Sequence, residues 1–158
     1  MIRIEKTKND QDFAAAMELV RRVFLQLTAP DYEESGIRTF LDFIENKSTG
    51  DLLDTYCAYN EAQLIGVIST RNAGSHLSLF FVTDAFQRQG VGKLLFETVL
   101  EASSSAEFTV HSSPYAVDIY RKLGFEPLGS ECVSDGIRYT PMIYRRESGK
   151  RLIDMISE

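Results

Sequence analysis

His76-Leu77-Ser78-Leu79-Phe80-Phe81-Val82, followed after a short spacer by Gln87-Arg88-Gln89-Gly90-Val91-Gly92-Lys93, is the stretch on which the fold turns. Leu77, Leu79, Phe80, Phe81 and Val82 make a nearly continuous apolar run, as expected of a strand buried on both faces in the middle of a sheet. Beyond the glycines, Val91, Leu94, Leu95, Thr98 and Val99 recur at helical spacing and predict an amphipathic helix from about Val91. A strand that runs into a glycine turn opening a helix aims unpaired backbone N–H groups and the positive end of the helix dipole at one point. That point suits an anion, most obviously a phosphate. Gly90 and Gly92 let backbone approach such a ligand closely, and Gln87, Arg88, Gln89 and Lys93 surround it with polar and cationic side chains.

The spacing excludes two common phosphate loops. Gly92-Lys93 is followed by Leu94 rather than Ser or Thr, and Gln87 stands where a Walker A loop has its leading glycine; a third glycine needed for a dinucleotide fingerprint is also missing. Gln-x-x-Gly-x-Gly after a buried strand instead resembles the pyrophosphate-binding motif of the GNAT superfamily of N-acyltransferases. A second stretch, Tyr120-Arg121-Lys122-Leu123-Gly124-Phe125, resembles the Tyr-x-x-x-Gly-Phe segment of the same superfamily, in the family's order and at about its separation. The resemblance extends loosely from Ile2 to about Tyr144.

It implies an α/β (α+β) GNAT fold: a mixed, mostly antiparallel sheet of six to seven strands, helices on both faces, and central strands splayed around coenzyme A. The implied activity is transfer of an acetyl group from acetyl-CoA to a primary amine of a small molecule or peptide, by direct attack in a ternary complex. Gln87 to Lys93 would then hold the cofactor's pyrophosphate. Phe81 or Val82 would supply the oxyanion donor and pair with the pantetheine arm like an added strand. Tyr120 would stand beside the sulfur as acid. Where the family often has an asparagine, Ser112-Ser113 occurs, and the Ser113 hydroxyl would only partly replace that amide's contact to pantetheine. The competing reading from another class is an acyl-CoA-binding sensor that has lost catalysis; an interaction domain would leave the glycines and Arg88 unexplained. Dimerisation is common among relatives.

At 158 residues one domain is the natural count, taken as residues 1–146, with a charged tail over 147–158 whose Leu152, Ile153 and Ile156 suit a helix docked on the body or on a second subunit. No run is long enough to span a bilayer, and no cationic-then-apolar leader opens the chain. Cys57 and Cys132 show no metal-ligand spacing and fit a cytoplasmic protein with reduced thiols. A formal charge of −6 argues against a nucleic-acid binder and mildly favours a cationic small-molecule partner.

Working outward along the chain, Ile2 to Lys6 alternates as a short strand, and Asn9 or Asp10 caps a helix with Phe13, Met17, Val20 and Phe24 on one face. Asp31 and Glu34 read as a capping box for a second helix with an apolar stripe of Ile37, Phe40, Leu41 and Ile44. Ser48 to Asp51 reads as a loop. Thr55–Tyr59, Leu64–Arg71 and the His76 strand then form an antiparallel meander, the first turn at Asn60-Glu61. Beyond the central helix, Phe108–His111 is a strand parallel to the His76 strand, because a helix separates the two. Ser113-Pro114 starts a helix that Gly124 ends, and Phe125–Val133 with Arg138–Tyr144 makes a hairpin across Asp135-Gly136.

Acyl transfer needs a neutral amine, a donor for the developing oxyanion and a proton for the departing thiolate. A lysine-like amine is neutral in only roughly one molecule in a thousand at pH 7, so a nearby base helps. His111, at the end of its strand, is the first candidate; His76 is expected at the opposite reach of the sheet. Glu33 and Glu34 are further candidates, through an intervening water, and with Tyr32 lie where the resemblance has the amine pass. No metal site is expected.

Overall fold

The structure, a computed structural model, describes residues 1–146. The tail expected over residues 147–158 lies outside the described residues. β1 (Ile2–Lys6) leads into α1 (Asp10–Val23). Asn9 is the N-cap, its side-chain oxygen accepting the Asp12 N–H at 2.9 Å. Asp10 and Asp12 in the first turn and Arg21 and Arg22 in the last match the helix dipole. The chain then loosens into a π-helical turn, Phe24–Thr28, and a 3-10 turn, Ala29–Asp31, before α2 (Glu34–Glu45). The capping box expected from Asp31 and Glu34 does not form. Pro30 holds Asp31 inside the 3-10 turn, where the Tyr32 N–H bonds to the Ala29 carbonyl at 2.9 Å, and an extended Glu33 becomes the N-cap with no side-chain bond.

The expected loop at Ser48–Asp51 contains a short helix, α3 (Thr49–Leu52). Asn46 starts it as a turn, its side chain accepting both the N–H and the hydroxyl of Ser48 at 2.9 and 2.7 Å. β2 (Asp54–Asn60), β3 (Gln63–Arg71) and β4 (His76–Val82) form the expected meander. Asn60 pairs with Gln63, so the first turn is made by Glu61 and Ala62, one position later than its sequence suggested.

After a 3-10 turn at Asp84–Phe86, α4 (Val91–Ala102) crosses to β5 (Glu107–Ser112), which is parallel to β4 as a helical crossover requires. The buried stripe of α4 is Val91, Leu95, Phe96 and Val99. Leu94, expected inside, is 42 % exposed, and Phe96 takes its place among the rings of Phe108, Phe125 and Tyr144. Arg146 closes the far end of this helix. Its Nη2 donates to the carbonyls of Leu100 and Ser103, both at 2.9 Å, and its Nε to that of Ser105 at 3.1 Å.

A 3-10 turn at Pro114–Ala116 precedes α5 (Val117–Leu123), so the helix proper starts three residues after the Ser113-Pro114 signal, and the Ser113 hydroxyl makes no cap bond. Gly124, at φ 106°, ends α5 in a Schellman arrangement: its N–H bonds to the Arg121 carbonyl and that of Phe125 to the Tyr120 carbonyl, both at 3.0 Å. The single strand expected over Phe125–Val133 is broken into β6 (Glu126–Pro127) and β7 (Cys132–Ser134), because the Pro127–Ser130 run turns the chain. β8 (Ile137–Arg145) follows across Asp135-Gly136, whose φ values of 52° and 78° are those of a type I′ turn.

The result is eight strands rather than six to seven, in the order β1-β2-β3-β4-β5-β8-β6, with β7 paired on β8. One face buries Met17, Val20, Ile44, Val67 and Leu79 beneath α1 and α2; the other buries Ile65, Leu77, Leu95, Phe108 and Met142 beneath α4 and α5. Helices thus cover both faces. α2 also rests on the tip of the β7–β8 hairpin, where a Cβ on Gly36 would stand 2.2 Å from the Gly136 carbonyl oxygen.

Candidate functional site

β4 and β5 stay together over only two paired positions, His76 with Thr109 and Leu77 with Val110, reinforced by a 2.8 Å bond from the Thr109 N–H to the Ser75 carbonyl. Beyond Leu77 the strands part. A cleft of about 890 Å³ runs through the opening, walled by Gly90, Gly92 and Tyr120 on one face of the sheet and by Phe24, Tyr32 and Phe40 on the other. Its size is that of a small-molecule site.

On the α4 side the turn has the expected construction. Gly90, at φ 82°, is the helix N-cap without a side-chain bond, and the first helical bond closes only at Leu94, from its N–H to the Gly90 carbonyl. The N–H groups of Val91, Gly92 and Lys93 therefore have no intrahelical partner. Arg88 is also held at positive φ, 65°, which curls the turn around its own N–H groups. Gln87, Arg88, Gly90, Gly92, Lys93 and Ser113 all line the cleft. Two residues of the motif do not. The Gln89 side chain bonds back to the Ala85 carbonyl at 3.0 Å, and the Val91 side chain is buried in the core, leaving only its backbone toward the turn. Gln87 is held at both ends, its amide donating to the Val82 carbonyl at 2.9 Å and its oxygen accepting from the Tyr115 hydroxyl at 2.7 Å.

Strand register decides which backbone groups face the opening. The Thr83 N–H bonds to the Ile65 carbonyl, which makes Val67–Phe81 the next hydrogen-bonded pair of the β3–β4 ladder. Phe81 is thereby spent on β3, while the amides of Phe80 and Val82 point the other way, toward the parted β5. Of the two positions expected to meet a ligand, Val82 alone presents its N–H to the opening, and Phe80 joins it. The Ser78 hydroxyl, also on the cleft wall, is buried with no hydrogen-bond partner.

Tyr120 sits where these groups converge. Its ring packs edge-on against Phe80 at 5.8 Å and against Phe125 at 5.3 Å. Burial, with the Tyr32 hydroxyl adding to it, raises the phenol well above its ordinary pKa, so the O–H stays protonated and acts as a donor. Tyr32 faces the same cleft from the α1–α2 connection and is itself pushed up to about 12 by burial and Asp31. Glu33 and Glu34 are exposed and stand outside the lining.

The two histidines are neighbours rather than opposites. Because His76 pairs with Thr109, two residues from His111, their rings meet at 5.1 Å. The parallel register, invisible in either strand alone, overturns the expected separation. His76 Nδ1 lies 2.7 Å from the Thr109 hydroxyl, and His111 stacks on Tyr139 at 4.4 Å. Burial and the nearby Arg71 lower both imidazoles, His76 down to about 4, so both are neutral near pH 7. Arg71 and Tyr139 were not singled out in the sequence; they reach the cleft only through cross-strand pairing.

An acetyltransferase (GNAT) domain family matches residues 28–146, most of the chain. The chain belongs to the GNAT family. A Bacillus subtilis (strain 168) protein described as a candidate acetyltransferase is 23 % identical to this GNAT chain over 150 residues, covering 92 % of it and 97 % of the relative. Among solved structures, a GCN5-related N-acetyltransferase from Rhodopseudomonas palustris superposes with a TM-score of 0.76 at 18 % identity, over 90 % of this chain and 94 % of that one. The PaiA N-acetyltransferase from Thermoplasma acidophilum, solved in complex with coenzyme A, gives 0.66 at 20 % identity, over 92 % and 99 %. The eight-stranded sheet and its parted centre are therefore the GNAT fold, and acyl transfer is the family's chemistry.

Proposed function

We propose that this GNAT protein transfers an acetyl group from acetyl-CoA to a primary amine by direct attack within a ternary complex. The observation that carries the reading is the cleft through the sheet, which brings the open N-terminus of α4, the free amides of Phe80 and Val82 and the Tyr120 phenol into one space. These residues fit coenzyme A, which the PaiA relative binds. The N–H groups of Gly90–Lys93 and the side chains of Arg88 and Lys93 suit its pyrophosphate. The edge of β4 offers pantetheine the backbone groups that β5 has left free, and the Ser78 hydroxyl lacks a partner.

Acetyl-CoA supplies the thioester. The amine nitrogen forms the new C–N bond, the C–S bond breaks, the amine loses a proton and the sulfur gains one. The Phe80 or Val82 N–H meets the developing oxyanion. Tyr120, protonated and beside Phe80, hydrogen-bonds the departing sulfur. His111, neutral, exposed and on the acceptor face, accepts the amine's proton directly or through water.

The test is thiol release from acetyl-CoA with pooled primary amines, on the wild type and on Tyr120→Phe, beside calorimetric cofactor affinity. One pool releases thiol, and the variant loses on the order of 100-fold in rate while still binding acetyl-CoA. An unaltered rate in the variant removes Tyr120 from the mechanism. Binding without thiol release from any pool would favour the sensor reading.

A further inference from the structure

The acceptor face of the cleft carries a row of side chains of which the transfer chemistry uses only His111. Arg71 on β3 is the cross-strand partner of His76 on β4, whose ring meets His111 on β5, whose ring stacks on Tyr139 on β8. Leu77 and Val110, next to His76 and His111 in their strands, belong to the core under α4. Strand alternation therefore puts the row on the opposite face, under α1 and α2. All four residues line the cleft.

The row is electrically lopsided. The carboxylates lining the cleft are Asp118 and Asp135, and among the described residues none lies within ion-pairing distance of Arg71. Among the described residues no carboxylate acts on either imidazole, whose charged neighbour is Arg71. With both rings neutral, this end of the cleft holds one guanidinium that has no ion-pair partner among the described residues, flanked by hydrogen-bonding rings, in a chain of formal charge −6. Such a wall repels a second ammonium and attracts an anion; a guanidinium forks readily onto a carboxylate or phosphate.

We propose that the amine acceptor carries an acidic group, carboxylate or phosphate, that seats on Arg71 beside His76, with its amine at the opening beside Phe80. This rests on the acetyl-transfer reading above. His76 and Phe80 are four residues apart on β4, about 13 Å of strand, and an arginine side chain recovers part of that, so amine and acid lie on the order of 7–10 Å apart. The acceptor is thus a long amino acid or amino phosphate, or a short peptide with a free amine and an acidic end.

A set of six-carbon amines tests this: 6-aminohexanoate, 6-aminohexyl phosphate, hexylamine and 1,6-diaminohexane, each assayed by acetyl-CoA-dependent thiol release on wild type, Arg71→Ala and Arg71→Lys. The wild type favours an acid over hexylamine by about tenfold or more in kcat/KM, and disfavours the diamine. In Arg71→Ala the acid-to-hexylamine ratio collapses toward one, mostly through KM, and Arg71→Lys restores part of it. Preference for the diamine, or a ratio unmoved by Arg71→Ala, overturns the assignment. A stronger response to the phosphate than to the carboxylate identifies the acidic group. Should no member be acetylated, the transfer reading is what fails, and the anion seat is read separately from the imidazole NMR signals of His76 and His111 in the coenzyme A-loaded protein. Shifts on adding 6-aminohexanoate or 6-aminohexyl phosphate that Arg71→Ala abolishes uphold the seat. No shifts from either overturn it.

Discussion

Gly36→Ala adds one methyl where α2 rests on the hairpin tip, and the space for it is absent. The new Cβ would stand 2.2 Å from the Gly136 carbonyl oxygen, 2.6 Å from its carbon and 3.1 Å from the Ile137 nitrogen. All three are backbone atoms of a type I′ turn, so no side chain can swing aside. Reaching ordinary contact means separating helix and hairpin by about 1 Å. Overpacking of this kind costs about 1–3 kcal/mol, and alanine's better helix propensity returns at most about 1 kcal/mol. The net loss is therefore about 1–2 kcal/mol, or roughly 2–8 °C in Tm for a chain of this size. Because α2 and the hairpin both wall the acceptor face, KM for the amine rises more than the dissociation constant for coenzyme A. Thermal denaturation and parallel titrations measure both. A variant with Tm equal to or above wild type would mean that helix propensity outweighs the contact, and would refute the close approach of Gly36 and Gly136.

Arg146→Ala removes three charge-assisted bonds to the α4 terminus and lowers stability by about 2–3 kcal/mol in denaturant titration, with Arg146→Lys in between; a loss below about 0.5 kcal/mol would show the cap to be idle. His76 is held neutral in the fold down to about pH 4 but protonates near 6.5 when unfolded, so the unfolded chain binds more protons between those values and stability falls as pH drops through that window. His76→Gln flattens the Tm–pH curve there, and a curve of unchanged slope would remove His76 as its source. Gly90→Ala forces a Cβ onto φ 82° at a cost of roughly 1–2 kcal/mol and weakens coenzyme A binding by calorimetry; unaltered affinity would displace the phosphate site from this turn.

What the sequence disclosed and what it withheld divide along local and non-local lines. The strand–turn–helix at His76–Ala102, the Asn9 cap, the Gly124 stop and the Asp135-Gly136 turn are written in a few adjacent residues and were legible as such. Strand count failed where a proline and a glycine broke Phe125–Val133 into pieces too short to recognise. Leu94 and Phe96 exchanged places because both fit the α4 periodicity and only the facing rings of Phe108, Phe125 and Tyr144 choose between them. In the site, the turn residues were legible, but the choice between Phe81 and Val82 needed the parity of the β3–β4 ladder. The meeting of His76 with His111, and the presence of Arg71 and Tyr139 beside them, needed the register of four strands drawn from separate parts of the chain.

The brief contact between β4 and β5 also has a mechanical side. In most sheets the central strands are the best protected, yet here the middle is a seam, and among the described residues β1–β4 and β5–β8 are joined by main-chain bonds only at one end of it. The amides of Phe80 and Val82, on a strand in the middle of the order, are expected to exchange with solvent hydrogen as if they lay on an edge strand. A ligand laid along β4 would act as a missing rung, so that occupancy and the rigidity of the whole sheet become a single property, and each departing molecule loosens the scaffold that has to receive the next.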